Sequence, residues 1–262
     1  MKFHRSFALA LFSACAASLQ PAMAATPDAD QILRTMSATL SAAPSLSFKA
    51  TREIDAALLE DRQLPEKARV QVTVQRPDKF SATAHSASGT RLIVADGHTL
   101  SILDGASNHY TTTPMPMSID ALVDQLDDKY GFTPPLAEFA VSNPYARFRS
   151  HARTVTYLGR GKSKGGFLGL GGVDCHRLQL TGPVATAELW VSVRDHLPRQ
   201  LIATFHHHNQ AQLKIAFSEW NLSAPVTHHT FTFTPPKNSE KIEMWTTAQM
   251  EAFSPRSTRK ND

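Results

Sequence analysis

The sequence predicts a mainly β protein with helical lids, an α+β chain built on one long antiparallel sheet of about eleven strands. Three observations predict it. Segments with period-two alternation recur along the chain. The most regular run from Asp174 to Leu222, where Leu189, Val191 and Val193 fall on one face and Glu188, Trp190 and Ser192 on the other. Tight-turn signals separate neighbouring segments: Asp96-Gly97, Asp104-Gly105 and Arg194-Asp195-His196-Leu197-Pro198. Apolar residues recur at helical spacing mainly in two places, 28–43 and a central insert. A sheet of that length must curl, and its concave face needs cover, which these helices are placed to supply.

The N-terminus reads as an export signal. Lys2, His4 and Arg5 form a basic start, Phe7 to Ala17 a short apolar run, and Ala22-Met23-Ala24 an A-x-A cleavage site. Residues 1–24 are therefore expected to be a secretory signal peptide and the protein to be periplasmic. A competing reading has Cys15 acylated after Ser13-Ala14, as in a lipoprotein. Phe12 fits that reading poorly, and the A-x-A site competes with it. No later stretch approaches the roughly 18 apolar residues of a membrane span. The formal charge falls from +4 to +2 when Lys2 and Arg5 leave with the signal. The remaining basic residues are scattered, which argues against a nucleic-acid partner. Cys175 is then the single cysteine, so no intrachain disulfide can form, and the core must carry the stability.

In chain order, Asp28 or Asp30 can cap a helix whose Ile32, Leu33, Met36, Leu40 and Ala43 share a face, with Pro44 as its stop. Strands are expected at 46–54, 68–75, 79–85, 91–95, 98–103 and 109–112. They form a meander of neighbours. Pro114-Met115-Pro116-Met117 breaks the pattern. Ser118 then caps a helix with Ile119, Leu122, Val123 and Leu126 on one face. Two short helical candidates follow, 136–141 and 144–148. The second β block opens at 152–160 and continues through a glycine-rich loop with Phe167, Leu168 and Leu170 at its tip. Phe231, Phe233 and Pro235-Pro236 are expected to close the sheet, and 254–262 to be a disordered tail. Residues 25–253 thus read as a single domain.

Several short motifs stand in one order over most of this chain. They are Arg76-Pro77-Asp78, Asp96-Gly97, Tyr110, Asn143-Pro144-Tyr145, Leu189-Trp190, Leu197-Pro198-Arg199, Phe217 with Trp220-Asn221, and Phe231-x-Phe233-x-Pro235-Pro236. In this the chain resembles the LolA/LolB-like superfamily of lipoprotein carriers. More narrowly, it resembles an uncharacterised family of predicted periplasmic bacterial proteins within it. Asn143 stands where Asp is expected. The resemblance implies a half-open antiparallel β-barrel with helices over its mouth, and an acyl chain or lipidated protein inside.

Catalytic and metal chemistry find no support. His206-His207-His208 and His228-His229 lack a Cys or carboxylate at ligand spacing, and no H-E-x-x-H occurs. Gly161-Lys162-Ser163-Lys164-Gly165 matches G-x-S-x-G, but the glycines that follow cannot begin a stable helix. Adjacent carboxylates, Glu60-Asp61 and Asp127-Asp128, do not face one another. Cys175 reads as a small buried residue and the tryptophans as packing residues. No catalytic residue, metal or cofactor is expected.

The expected function is non-enzymatic: binding of an acyl chain, lipid or lipoprotein anchor between the sheet and the helices. The expected ligand contacts are Met115, Met117, Leu122, Leu126, Leu189, Val191 and Leu201. The Pro/Met loop and Gly131 would serve as lid hinges. The protein is expected to be a monomer that touches membranes only transiently. The alternative is an envelope protein-interaction or sensor module without a lipid ligand.

Overall fold

A computed structural model of the chain describes residues 26–59, 64–163 and 172–253. The signal segment with Cys15, the Glu60-Asp61 pair, the glycine-loop tip and the tail from 254 lie outside the described residues.

Helix α1 spans Ala29–Ser41. The Asp28 side chain caps it, accepting from the Asp30 amide at 2.9 Å. Its apolar stripe, Leu33, Met36 and Leu40, is fully buried. Six strands follow as a meander: β1 Ser45–Ile54, β2 Glu66–Gln75, β3 Lys79–Ser86, β4 Gly89–Asp96, β5 Thr99–Asp104 and β6 His109–Pro114. Pro114 still pairs in register with Thr99, and the Met115 amide donates to the His98 carbonyl at 2.8 Å; Pro116, with no N–H to donate, follows.

The insert carries helix α2, Ile119–Tyr130, which the Ser118 hydroxyl caps by accepting from the Ala121 amide. Gly131 ends it in the left-handed conformation at φ 68°, where glycine carries no steric penalty. A 3-10 turn, Ala137–Phe139, leads to helix α3, Pro144–His151, with Asn143 as its cap and Pro144 in its first turn.

The second meander runs β7 Thr154–Lys162, β8 Asp174–Thr181, β9 Ala185–Ser192, β10 Pro198–Phe205 and β11 Gln212–Asn221. It returns to the first, because β11 pairs antiparallel with β1. With β12, the two residues Glu240–Lys241, the result is one open sheet in the order β12-β6-β5-β4-β3-β2-β1-β11-β10-β9-β8-β7. Its inner face and the helices share one apolar cluster that runs from Leu33 and Met36 to Leu189 and Val191.

One local expectation needs correction. Phe231, Phe233 and the prolines do not close the sheet as a strand. His228–Phe231 is a 3-10 turn, and the two residues that do join the sheet come later, as β12 Glu240–Lys241, parallel to β6. Pro235 and Pro236 lack the N–H groups a ladder needs. Residues 226–235 instead lie against the outer face, where Phe231 is buried near Val94 and Ser101. His206, His207 and His208 lie in the turn 206–210 between β10 and β11.

Candidate ligand-binding site

The strand registers build one wall of a cavity. Ile54 stands opposite Leu213, Leu213 opposite Ala203, Ala203 opposite Ala187, and Ala187 opposite Leu180. One rank deeper stand Arg52, Ile215 and Leu201. Alternation turns all of these toward the helices. The opposite wall is Pro134, Leu136, Phe139 and Phe148 from the insert. Between the walls lies a cavity of about 520 Å³. That volume falls within the roughly 300–1,000 Å³ of small-molecule sites, and the lining is mostly apolar, as theirs is. The space exists because Ala185, Ala187 and Ala203 carry only methyl groups where larger inner residues would meet the insert.

Charged groups interrupt this lining. Arg52 pairs with Glu66 at 2.9 Å, with the two side chains only 15% and 8% exposed. Burial lowers the pKa of Arg52, and Glu66 opposes the shift. Arg147 of α3 bridges Asp124 at 3.0 Å and Asp127 at 3.3 Å. Glu138 keeps some solvent access, but protein surrounds it closely enough that desolvation raises its pKa, against its own backbone N–H and Arg147. Arg52 breaks the apolar parity of β1, in which Leu46, Phe48, Ala50 and Ile54 all point inward. That irregularity is the sequence signal that could have drawn attention to it.

The lids are fastened to one another and to the sheet. Arg76, in the β2–β3 turn, donates to the carbonyls of Leu40, Ala43 and Ala140, the shortest of these bonds being 2.7 Å to Ala140. It therefore caps the C-terminal end of α1 and holds the insert with the same guanidinium. Ser41 donates to the Ser142 carbonyl at 2.7 Å, and the Tyr145 amide donates to Ser37 Oγ at 2.9 Å. At the surface, the Arg34 guanidinium stacks 3.9 Å from the Tyr145 ring centroid, and the Tyr145 hydroxyl donates to Asp30.

Of the seven expected contact residues, Leu201 lines the cavity. Met115, Leu122, Leu126, Leu189 and Val191 are buried in the same apolar cluster, with Met117 packed at its edge. The cavity residues contributed by the insert, Leu136, Glu138, Phe139, Arg147 and Phe148, come from two short helical segments read only as lid material. A larger void of about 1,090 Å³ lies on the outer face, under residues 226–235. Polar side chains such as Asp78, Asp96, His98, Thr112 and Lys241 line it. Asp96 is committed to its own turn, accepting from the His98 and Thr99 amides. Among the described residues no cluster of three His, Cys, Asp or Glu side chains could hold a metal ion. Cys175 is free and fully buried, its thiol directed at the Val173 carbonyl. Trp220 packs on Phe48 and Phe217.

The sheet is thus open and unclosed, with helices across its inner face. The chain belongs to the family described as predicted periplasmic protein (DUF2092), whose model matches residues 29–245. The family description places the protein in the periplasm. No helix among the described residues is long and apolar enough to cross a membrane. No curated protein matches the chain. Solved structures with a similar arrangement include an uncharacterised conserved protein from Thermus thermophilus at 10% identity. There the match covers 82% of this chain and 99% of that one, with a TM-score of 0.49. A LolA superfamily protein from Nitrosomonas europaea matches at 14% identity, 79% and 99% coverage and a TM-score of 0.38. MucB in its complex with MucA from Pseudomonas aeruginosa matches at 14% identity and a TM-score of 0.43. That match covers 79% of this chain and 62% of the other, less than two thirds of its length.

Proposed function

We propose that this is a periplasmic, non-enzymatic binding protein for an apolar ligand: an acyl chain, a lipid or the lipid anchor of a lipoprotein. The supporting observation is the cavity of about 520 Å³ between the inner face of β8–β11 with the end of β1 and the insert 133–152. Burying apolar surface there stabilises the complex by about 25 cal/mol per Å², so one acyl chain supplies several kcal/mol. On this reading Leu201 touches the ligand directly. Met115, Met117, Leu122, Leu126, Leu189 and Val191 form the packed floor that a longer chain displaces. The Pro/Met loop and Gly131 act as hinges, and the contacts of Arg76 hold the lids closed in the absence of ligand.

The test is purification from the native periplasm, followed by native mass spectrometry and lipid extraction. Co-purifying acyl species are the expected result. A preparation free of acyl species that also fails to bind fluorescent fatty-acid probes removes the proposal. A stoichiometric protein in place of lipid would favour the envelope interaction module.

A further inference from the structure

The void of about 1,090 Å³ on the outer face has no part in the inner cavity. Asp78, Asp96, Tyr110, Phe231, Phe233 and Pro235 belong to the short motifs that run through the sequence. All six line this void, and none lines the inner cavity.

Its floor is the side-chain face of paired strands. Val94 on β4, Ser101 on β5 and Thr112 on β6 stand in register there, and Ser101 bonds Thr112 at 3.0 Å. β4 and β5 each have a neighbour on both sides, so their backbone groups offer no main-chain bonds to an extended peptide. Phe233 stands against Tyr110 with ring centroids 5.6 Å apart, and Phe231 is buried beside them.

Polar side chains with nothing to bind surround this apolar patch. Among the described residues, the side chains of Gln75, Asp78, Lys79 and Lys241 and the Tyr110 hydroxyl have no hydrogen-bond or ion-pair partner. All but Lys241 are half-buried. Gly97 makes room for the Asp78 carboxylate, since a Cβ at 97 would stand 2.6 Å from Asp78 Oδ2. The two lysines supply only donors, Asp78 only acceptors, and Gln75 and Tyr110 both.

That mixture points to a class of ligand. A sugar hydroxyl donates and accepts at once, so it needs both kinds of group in one site. A pyranose also has an apolar C–H face, whose weakly positive hydrogens meet the negative face of an aromatic ring. An acyl chain would leave the polar groups unpaired. A bare phosphate would meet the Asp78 carboxylate. The volume matches the upper end of small-molecule sites, about 1,000 Å³, which suits several sugar units rather than one.

We infer that the outer face carries a second binding site, for an oligosaccharide. Its rings pack on Tyr110 and Phe233, and its hydroxyls bond Gln75, Asp78 and Lys79. The site is separate from the inner cavity, so a glycan and an apolar ligand do not compete.

Isotope-labelled mature protein titrated with cellotetraose, N-acetylated chitotetraose and tetragalacturonate, followed by NMR, tests it. At least one tetramer should bind with a Kd below about 1 mM, shifting the amides of Gln75, Lys79 and Tyr110. Tetragalacturonate as the best ligand assigns an acidic glycan held by Lys79 and Lys241; either of the others assigns a neutral one. Asp78→Asn and Tyr110→Ala should each weaken the best ligand about tenfold or more. Asp78→Asn keeps the side-chain shape, so it decides alone if Tyr110→Ala does not fold. Absence of binding by all three at about 5 mM, or binding that survives Asp78→Asn undiminished, overturns the site. Neither result bears on the apolar cavity, which the lipid measurements test by themselves.

Discussion

The two halves of the sheet treat their inner faces differently. In the half made by β1–β6, the inner positions Phe48, Val72, Val74, Phe80 and Leu100 are closed to solvent, as are the apolar stripes of α1 and α2. In the half made by β8–β11, the inner positions facing the insert include Ala185, Ala187 and Ala203, and a cavity remains. Both halves use the same alternation and the same antiparallel pairing. Side-chain volume at a few positions separates a core from a chamber, because protein interiors leave no space larger than a water unless it is built in.

Substitutions can break this contrast from either side. The largest effect is expected in the packed half, where Phe80→Ala should destabilise by about 3–5 kcal/mol, read as a fall in the denaturation midpoint at constant slope. Arg76→Ala should cost about 2 kcal/mol by leaving the carbonyls at the end of α1 and at Ala140 without their donor. Hydrogen exchange should rise at 40–44 and 137–143 before it rises in the strands; uniform protection would show that Arg76 does not hold the lids. Ser118→Ala, which removes the α2 cap, should cost about 1 kcal/mol.

In the chamber the ranking reverses. Ala203→Leu should change stability by less than about 1 kcal/mol, since the added methyl groups enter open space. It should nonetheless weaken palmitate binding measurably by titration. A variant that binds as the wild type does would place the ligand elsewhere.

The smallest effect concerns Glu138. Its folded pKa is raised by desolvation, so the native state holds the proton more tightly than the unfolded chain does. Stability therefore declines as pH rises from the ordinary value of 4.5 through the raised one. Glu138→Gln should melt with the wild type below 4.5, then melt higher as pH increases. A constant gap across the range would contradict the sign.

Much of the scaffold is legible from local chemistry. Asp28 and Ser118 announce helix starts, Gly131 a helix end, and Asp96-Gly97 a turn, because each satisfies a need of its own few residues. Alternation placed Leu189 and Val191 on one face. It does not say which face is inner, because that depends on β11 pairing with β1 across a large sequence separation. The chamber was not legible: alanines at 185, 187 and 203 look unremarkable until the insert is known to face them. Phe231 and Phe233 look like strand residues, and only their docking on the outer face shows otherwise.

The pairing of β1 with β11 also dictates an order of assembly. β1 is flanked by β2 on one side and, on the other, by residues that emerge from synthesis and export much later, with Ser47 meeting Asn221 and Ile54 meeting Leu213. Until then the first meander presents Ser45–Ile54 as a raw edge, and the second has no wall to join. Such long-range closure is slow to form. A chain crossing a membrane from its N-terminus therefore cannot complete this sheet until β11 has followed it through. Premature truncation before 212 would leave an open edge suited to pairing between chains rather than a smaller version of the same protein.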